Sequence, residues 1–156
     1  MKWQLAATFF AAIGFIGMPA IAQSNPHGDW PIEVRVQIGT AAGDMVIMPR
    51  HLVFRKGQRY KLILANPSGV EHRFSVLSFS SLVKTYGKPN IDKGAVIGRP
   101  RLTGRVPSGY IVREIDIAPG GTAEWAFTPL KSRITKVGCR IDSHAQAGMT
   151  GTFSVL

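Results

Sequence analysis

Apolar and polar positions alternate along much of the chain after residue 30. Residues 32–38 (IEVRVQI) place an apolar side chain at every second position, which is the period-2 pattern of a half-buried strand. Residues 110–117 (YIVREIDI) repeat this alternation. Further strand-like segments lie at 45–54 with a break at Pro49, and at 60–64, 70–77, 123–128, 131–139 and 150–156.

Turn signals separate these segments. Residues 66–69 (NPSG) and 118–121 (APGG) combine the residue types that dominate tight turns. No long helical pattern is present, and a short helix fits only near 80–84. Short strands between turns predict an all-β fold, an antiparallel β-sandwich. Residues 78–110 form a long irregular insertion rich in Gly, Pro, Lys and Arg, and loops of that length are usually functional or partly mobile.

The first 22 residues do not fit the strand pattern. They contain a basic Lys2, continue as an apolar run over 5–18 and end in Ala-Ile-Ala, which is typical of a secretory signal peptide. The alternative is a membrane anchor, but the apolar run is shorter than the roughly 20 residues that span a bilayer. We predict cleavage after Ala22. The mature chain, 23–156, is then exported, does not span the membrane and forms a single domain.

The charge balance is basic, with 19 Lys and Arg against 9 Asp and Glu. Such an excess favours an anionic partner, which is an acidic protein, a membrane surface or nucleic acid. Export argues against nucleic acid. The basic residues are mildly concentrated over 84–113, and plain solubility is an open alternative for most of them.

Cys139 is the single cysteine of the chain. Exported proteins normally pair their cysteines, and this one has no partner within the chain. It is therefore buried and inert, paired with another molecule, or a metal ligand.

The residues that follow Cys139 bear on this choice. They read C-x4-H-x4-M, with His144 and Met149 completing the motif just before the last predicted strand. Thiolate and thioether sulfurs are soft donors that favour copper, and imidazole also binds copper. Small residues within 145–148 let one short loop fold the three side chains around a single point. The motif predicts a copper site.

A fourth ligand is expected from the four histidines. His72 follows the NPSG turn in a predicted strand, with Val70 and Phe74 on the same side, so it should point inward. Alone it is typical of a buried core histidine with satisfied ring nitrogens. Beside the Cys-His-Met loop it becomes the expected ligand, whereas His27 and His51 are expected at the surface.

The sequence resembles the cupredoxins, the small blue copper proteins, over residues 32–156. Family members carry one histidine on an early strand and a Cys-His-Met loop before the last strand, as His72 and 139–149 do here. The segments 57–62 (GQRYKL), 66–68 (NPS) and 118–127 (APGGTAEWAF) add to the likeness. The resemblance implies a Greek-key antiparallel β-sandwich that holds one copper ion, Cu(I) or Cu(II). The implied ligands are His72, Cys139, His144 and, as a long axial ligand, Met149.

The resemblance also implies a function. Such a protein works in the periplasm as a monomer. It passes single electrons without transforming a substrate, so it is not an enzyme. Its partner is a redox protein with an acidic surface, a cytochrome or an oxidase. Plastocyanin and azurin have an asparagine after the first histidine; here that residue is Arg73, which implies different surroundings for the thiolate.

Two other functions stay open. A periplasmic copper carrier or store could use the same four ligands, with Met45 and Met48 as additional donors, although methionines beside a strand are more often core residues. A metal-free interaction domain is also compatible with the fold, but it leaves the lone Cys139 unexplained.

Overall fold

The computed structural model describes residues 20–21, 31–87, 90–92, 105–106 and 109–156. Within these ranges the chain forms fourteen β-strands and one short helix. In chain order they are β1 (Ala20–Ile21), β2 (Ile32–Ile38), β3 (Ile47–Met48), β4 (His51–Phe54), β5 (Tyr60–Ala65), β6 (His72–Ser75), α1 (Leu77–Ser80), β7 (Val83–Thr85), β8 (Asn90–Asp92), β9 (Arg105–Val106), β10 (Gly109–Tyr110), β11 (Glu114–Ile117), β12 (Thr122–Pro129), β13 (Arg133–Cys139) and β14 (Thr150–Val155).

Two sheets of six strands form a sandwich. The first has the order β1-β4-β14-β13-β6-β11, and the second has the order β3-β2-β5-β12-β7, with β8 also paired to β12. The strands β9 and β10 form a separate antiparallel pair. The predicted all-β sandwich is confirmed.

The sheets are mixed rather than wholly antiparallel. β2 runs parallel to β5, and β4 runs parallel to both β14 and β1. The sequence could not indicate this, because period-2 alternation reports which face a side chain occupies and not the direction of the neighbouring strand. Parallel neighbours need a long crossover connection, and the segment from β2 to β5 supplies one through β3 and β4.

The core between the sheets is built around aromatic rings. The ring of Phe54 is fully buried. Its centroid lies 5.0 Å from Tyr60, 5.3 Å from Phe79, 5.4 Å from Phe127 and 5.3 Å from Phe153. These rings come from β4, β5, α1, β12 and β14, so one cluster joins both sheets and the helix. The contacts of Phe54 with Tyr60, Phe127 and Phe153 are edge-on, and such contacts add to the stabilisation from burial alone.

Several predicted boundaries shift in the structure. The strand expected over 70–77 is shorter, His72–Ser75. Val70 is 44% exposed and does not share the inner side with His72. The reason is that the NPSG turn continues through Val70, whose carbonyl accepts a hydrogen bond from the Asn66 side chain.

The predicted insertion over 78–110 is partly regular. The helix expected near 80–84 is α1, Leu77–Ser80, and residues Val83–Thr85 instead form β7 against β12. Valine and threonine favour such a pleated position over a helix. Residues 88–89, 93–104 and 107–108 of the insertion lie outside the described residues.

Most of the predicted signal peptide also lies outside the described residues, so its cleavage stays a prediction. Ala20 and Ile21 are described, and they pair with Leu52 and Val53 of β4. Among the described parts of the chain, no helix has the length and apolarity needed to cross a membrane.

Candidate metal centre

The first two predicted ligands are brought together by neighbouring strands. β6 and β13 are antiparallel neighbours in which Cys139 lies opposite Phe74. His72 lies two residues before Phe74 and therefore projects from the same face of β6. Cys139 is the last residue of β13 and His72 is the first of β6, so both side chains stand at one end of the sandwich.

The loop between β13 and β14 supplies the third predicted ligand, His144. The backbone N–H of Cys139 donates to the carbonyl of Met149 at 3.0 Å, which closes the loop at its base. The N–H of Met149 donates to the carbonyl of His144, also at 3.0 Å. Arg50 donates from Nη2 to the carbonyl of Gly148 at 3.0 Å and ties the loop to the start of β4. His144 is thereby turned back over the end of the sandwich.

Three donor atoms converge there. The Nδ1 atoms of His72 and His144 are 3.3 Å apart, and the Sγ of Cys139 lies 3.4 Å from Nδ1 of His144 and 3.9 Å from Nδ1 of His72. A triangle with these sides has a point about 2.1 Å from all three atoms, within the range of about 2.0–2.3 Å for metal bonds to nitrogen and sulfur. One soft sulfur and two imidazoles form the trigonal donor set of blue copper sites. The residues fit a copper site.

The fourth predicted ligand, Met149, is fully buried at the closing end of the same loop. Its role as a ligand stays a prediction. Of the other histidines, His51 is exposed and its Nδ1 lies 2.7 Å from the Oγ1 of Thr152, as expected for a surface residue. His27 lies outside the described residues.

The site is dry on the strand side and open on the loop side. His72 and Cys139 are 0% and 1% exposed, whereas His144 is half-buried. Burial, with a smaller contribution from the neighbouring His144, lowers the pKa of His72 from 6.5 to about 4. His72 is therefore a neutral imidazole near pH 7, which is the form that binds metals.

Arg73 follows the ligand candidate His72 in the sequence, and its backbone and its side chain make different contacts. Its backbone N–H donates to the Sγ of Cys139 at 3.4 Å. Its side chain turns to the neighbouring strand β11, where Nε and Nη2 lie 2.6 Å and 3.1 Å from the two carboxylate oxygens of Asp116. The backbone thus fixes the sulfur, and the bidentate ion pair fixes the backbone between β6 and β11.

Sequence analysis missed the residues that surround His72. Gly39 has a φ of +77°, and a Cβ placed there would lie 2.6 Å from Nε2 of His72. Ser68 Oγ lies 2.9 Å from the same nitrogen. The NPS segment indicates a turn and adds to the family likeness, but it does not indicate a contact with His72, and nothing local in the sequence connects Gly39 with a histidine on another strand.

No protein-family model matches the sequence. No curated protein matches it either.

Solved structures do match. A reduced auracyanin from the photosynthetic bacterium Roseiflexus castenholzii has a TM-score of 0.53 at 16% identity, covering 80% of this chain and 96% of that one. Auracyanin A, a "blue" copper protein from Chloroflexus aurantiacus, has a TM-score of 0.53 at 16% identity, covering 81% and 100%. The multicopper oxidase McoA from Aquifex aeolicus has a TM-score of 0.56 at 15% identity, and the match covers 85% of this chain but 31% of the oxidase. At these identities the likeness shows the fold, and it confirms at that level the resemblance seen in the sequence.

The ion pair between Arg73 and Asp116 leads to an asymmetric prediction. Asp116 is 4% exposed, whereas the Arg73 side chain is 39% exposed. Arg73→Leu leaves a buried carboxylate without its partner and should lower the free energy of unfolding by about 3–5 kcal/mol. Asp116→Leu leaves a guanidinium that can turn to water, and we expect a loss nearer 1 kcal/mol. Urea denaturation of the metal-free variants measures both, and equal losses would contradict this account.

Proposed function

From the cupredoxin fold of this chain and its cluster of donor atoms, we propose an exported protein that holds one copper ion and transfers single electrons. The proposed ligands are His72, Cys139, His144 and Met149. The observation that carries the proposal is the triangle of one sulfur and two Nδ1 atoms, with sides of 3.3, 3.4 and 3.9 Å. Copper bound there supplies a one-electron couple.

The surrounding residues restrain the positions of the donor atoms of Cys139 and His72. Cys139 is fixed by its own strand and by the N–H of Arg73, and His72 is enclosed by Gly39 and Ser68. A donor set that moves little suits repeated one-electron exchange, because fewer groups must reorganise when the charge changes. The half-buried His144 is the side of the site nearest to solvent, and its neighbours Ala145 and Ala147 are small and exposed. We propose that electrons pass there.

Burial supports electron transfer over the alternative of copper carriage. A carrier must let its partner reach and exchange the ligands, but His72, Cys139 and Met149 are at most 1% exposed. Of the additional donors considered, Met45 packs against the core and Met48 is exposed on β3. We also propose that the protein transforms no substrate.

We propose the periplasm as its location. The support is the amino-terminal sequence, with its basic start, apolar run and Ala-Ile-Ala ending. The single thiol of Cys139 is compatible with export, because it is buried beside two imidazoles and is not available for a disulfide.

Lys84, at the start of the basic segment over 84–113, lies at the far end of the sandwich from the site. Lys84 lies in β7 opposite Thr128, while the opposite end of β12, at Thr122, is the one beside Asn66 and the site. At about 3.3 Å per residue, Lys84 lies roughly 20 Å from that end. Lys84 of the basic segment over 84–113 therefore does not border the site. Lys88, Lys93, Arg99 and Arg101 lie outside the described residues.

Two other cations line a surface cavity at the loop end of β13. Lys136 and Arg140 line a surface cavity of about 190 Å³ together with Cys139 and Ala145. No carboxylate lines this cavity among the described residues, and the acidic group beside it is Glu114, whose Oε1 lies 3.9 Å from Nε of Arg140. We propose that an acidic redox partner docks over this surface, beside His144.

The docking proposal predicts a salt-dependent rate. Replacing Lys136 and Arg140 by Gln should slow electron transfer to an acidic cytochrome several-fold at low ionic strength and flatten the dependence on salt. The matched control is Lys84→Gln with Lys131→Gln, which removes the same charge far from the site. Stopped-flow rates at rising ionic strength measure the effect. Equal slowing by both pairs, or a rate indifferent to salt, would contradict the location.

Cys139→Ser tests the copper site itself. Addition of Cu(II) to the wild-type protein should give an intense blue or green charge-transfer band, because a thiolate is bonded to the ion. The variant should lose this band and keep the far-ultraviolet circular dichroism of the β-sandwich. A variant that retains the full band would rule out Cys139 as the ligand, and a colourless wild type that binds only Cu(I) would favour carriage.

Met149→Leu separates an axial ligand from a primary one. A thioether in the axial position binds weakly, so the variant should keep copper and shift its reduction potential upward, since the Cu(II) form loses a donor. Met48→Leu, on the exposed side of β3, is the control and should leave the potential unchanged. Complete loss of copper from Met149→Leu would show that the site depends on four primary ligands, as a carrier would need.

A further inference from the structure

A chain of buried polar groups stands behind His72, on the side away from the donor triangle. Nε2 of His72 lies 2.9 Å from Oγ of Ser68, and that oxygen lies 2.7 Å from Oδ1 of Asn66. The exposed fractions of the three residues are 0%, 3% and 1%. Water does not compete for these hydrogen bonds, so their directions can be worked out by counting protons.

The orientation of the Asn66 amide comes first. Its Nδ2 lies 2.8 Å from the carbonyl of Val70, 3.0 Å from that of Ile117 and 3.1 Å from that of Ala118. Carbonyl oxygens only accept hydrogen bonds, so the atom facing them must be the amide nitrogen. Oδ1 therefore faces Ser68, and it also accepts the Ser68 backbone N–H at 3.0 Å.

The Ser68 hydroxyl comes next. It carries one proton, and its acceptors are Oδ1 of Asn66 at 2.7 Å and the carbonyl of Val70 at 3.1 Å. The 2.7 Å between Ser68 Oγ and Asn66 Oδ1 is a hydrogen-bond distance, and Oδ1 can only accept, so the proton of that bond is the hydroxyl proton of Ser68. The hydroxyl oxygen then meets His72 with a lone pair, and the proton of that hydrogen bond must come from Nε2 of His72.

We propose that Ser68 and Asn66 are positioning residues that hold His72 in its Nε2–H tautomer. A neutral imidazole with its proton on Nε2 carries its lone pair on Nδ1, and Nδ1 is the atom 3.3 Å from His144 and 3.9 Å from the sulfur of Cys139. The Asn66–Ser68 pair thus prepares His72 as a ligand before any ion arrives. The importance of this for copper rests on the proposed function, whereas the tautomer itself does not.

Gly39 limits the ring from the same side. A Cβ at this residue would lie 2.6 Å from Nε2 of His72 and 3.1 Å from the Ser68 hydroxyl. The glycine backbone therefore closes over the hydrogen bond between the two side chains. His72 can neither flip to present Nε2 to the site nor exchange its Ser68 partner for water without moving this turn.

The first test is the affinity for Cu(I), measured by competition with bathocuproine disulfonate. Loss of a hydrogen-bond partner behind a ligating histidine weakens metal binding by about 10- to 100-fold, and we expect this of Ser68→Ala. Ser68→Thr keeps the hydroxyl and should restore most of the affinity.

The matched control is Ser80→Ala. Ser80 is 2% exposed and its Oγ has no hydrogen-bond partner among the described residues, so this variant removes a buried hydroxyl outside the site. Its Cu(I) affinity should equal that of the wild type. Equal affinities for Ser68→Ala and the wild type, or equal losses in Ser68→Ala and Ser80→Ala, would overturn the proposal.

The second test uses the metal-free wild type and needs no variant to fold. Long-range ¹H–¹⁵N correlation of the histidine rings distinguishes the two tautomers, and His72 should be the Nε2–H form. Ser68→Ala should shift it toward a mixture. An Nδ1–H ring in the wild type would overturn the proposal outright. A wild type that binds no copper yet shows the Nε2–H ring would instead overturn the proposed function and leave the assignment of the tautomer standing.

Discussion

The site depends on the pairing of β6 with β13. The two strands are paired at Ser75 with Gly138 and at Phe74 with Cys139. At the next position, the N–H of Arg73 donates to the sulfur of Cys139 instead of to a carbonyl, while the carbonyl of Arg73 accepts from Arg140. The sulfur of Cys139 therefore accepts a hydrogen bond at a position of the sheet where a backbone carbonyl would normally accept it. Its position is as well determined as that of the backbone around it.

The other polar groups of the site lie in an interior from which water is excluded, and they are paired with one another. Buried polar groups destabilise a fold unless each finds a partner. Here each has one: His72 bonds to Ser68, Ser68 to Asn66, and Asn66 to three carbonyls. Asp116 is paired with Arg73 in the same way. These contacts surround the donor atoms on the strand side and leave solvent access to His144 alone.

Much of the fold and the identity of the converging residues could be predicted from the sequence. The alternation over 32–38 is borne out by the buried Val34, Val36 and Ile38 of β2. His72, Cys139 and His144 were recognised because a chain with one cysteine and four histidines offers few ways to build a metal site. The convergence of their donor atoms needed the structure.

What could not be predicted depends on contacts between distant parts of the chain. Arg73 and Asp116 are 43 residues apart, and no periodic pattern links them. The arrangement of the strands is a second example, because a single sequence gives little information about it. It determines that β2 runs parallel to β5 and that Lys84 lies at the far end of β12. The tautomer of His72 can be assigned only when the positions of all the hydrogen-bond partners of Asn66 are known.

The loop between Cys139 and Met149 is closed at its base by backbone hydrogen bonds, so its length can vary without affecting the strands on either side. Gly138 pairs with Thr150, and the N–H of Cys139 bonds to the carbonyl of Met149, so both strands are in register before the loop begins. The segment between them is largely exposed at 142–147, and closing a somewhat longer loop costs little additional entropy. Insertions or deletions there would alter how far His144 projects from the sandwich without changing the register of either sheet. The exposure of His144 and the integrity of the sandwich can therefore change independently in this architecture.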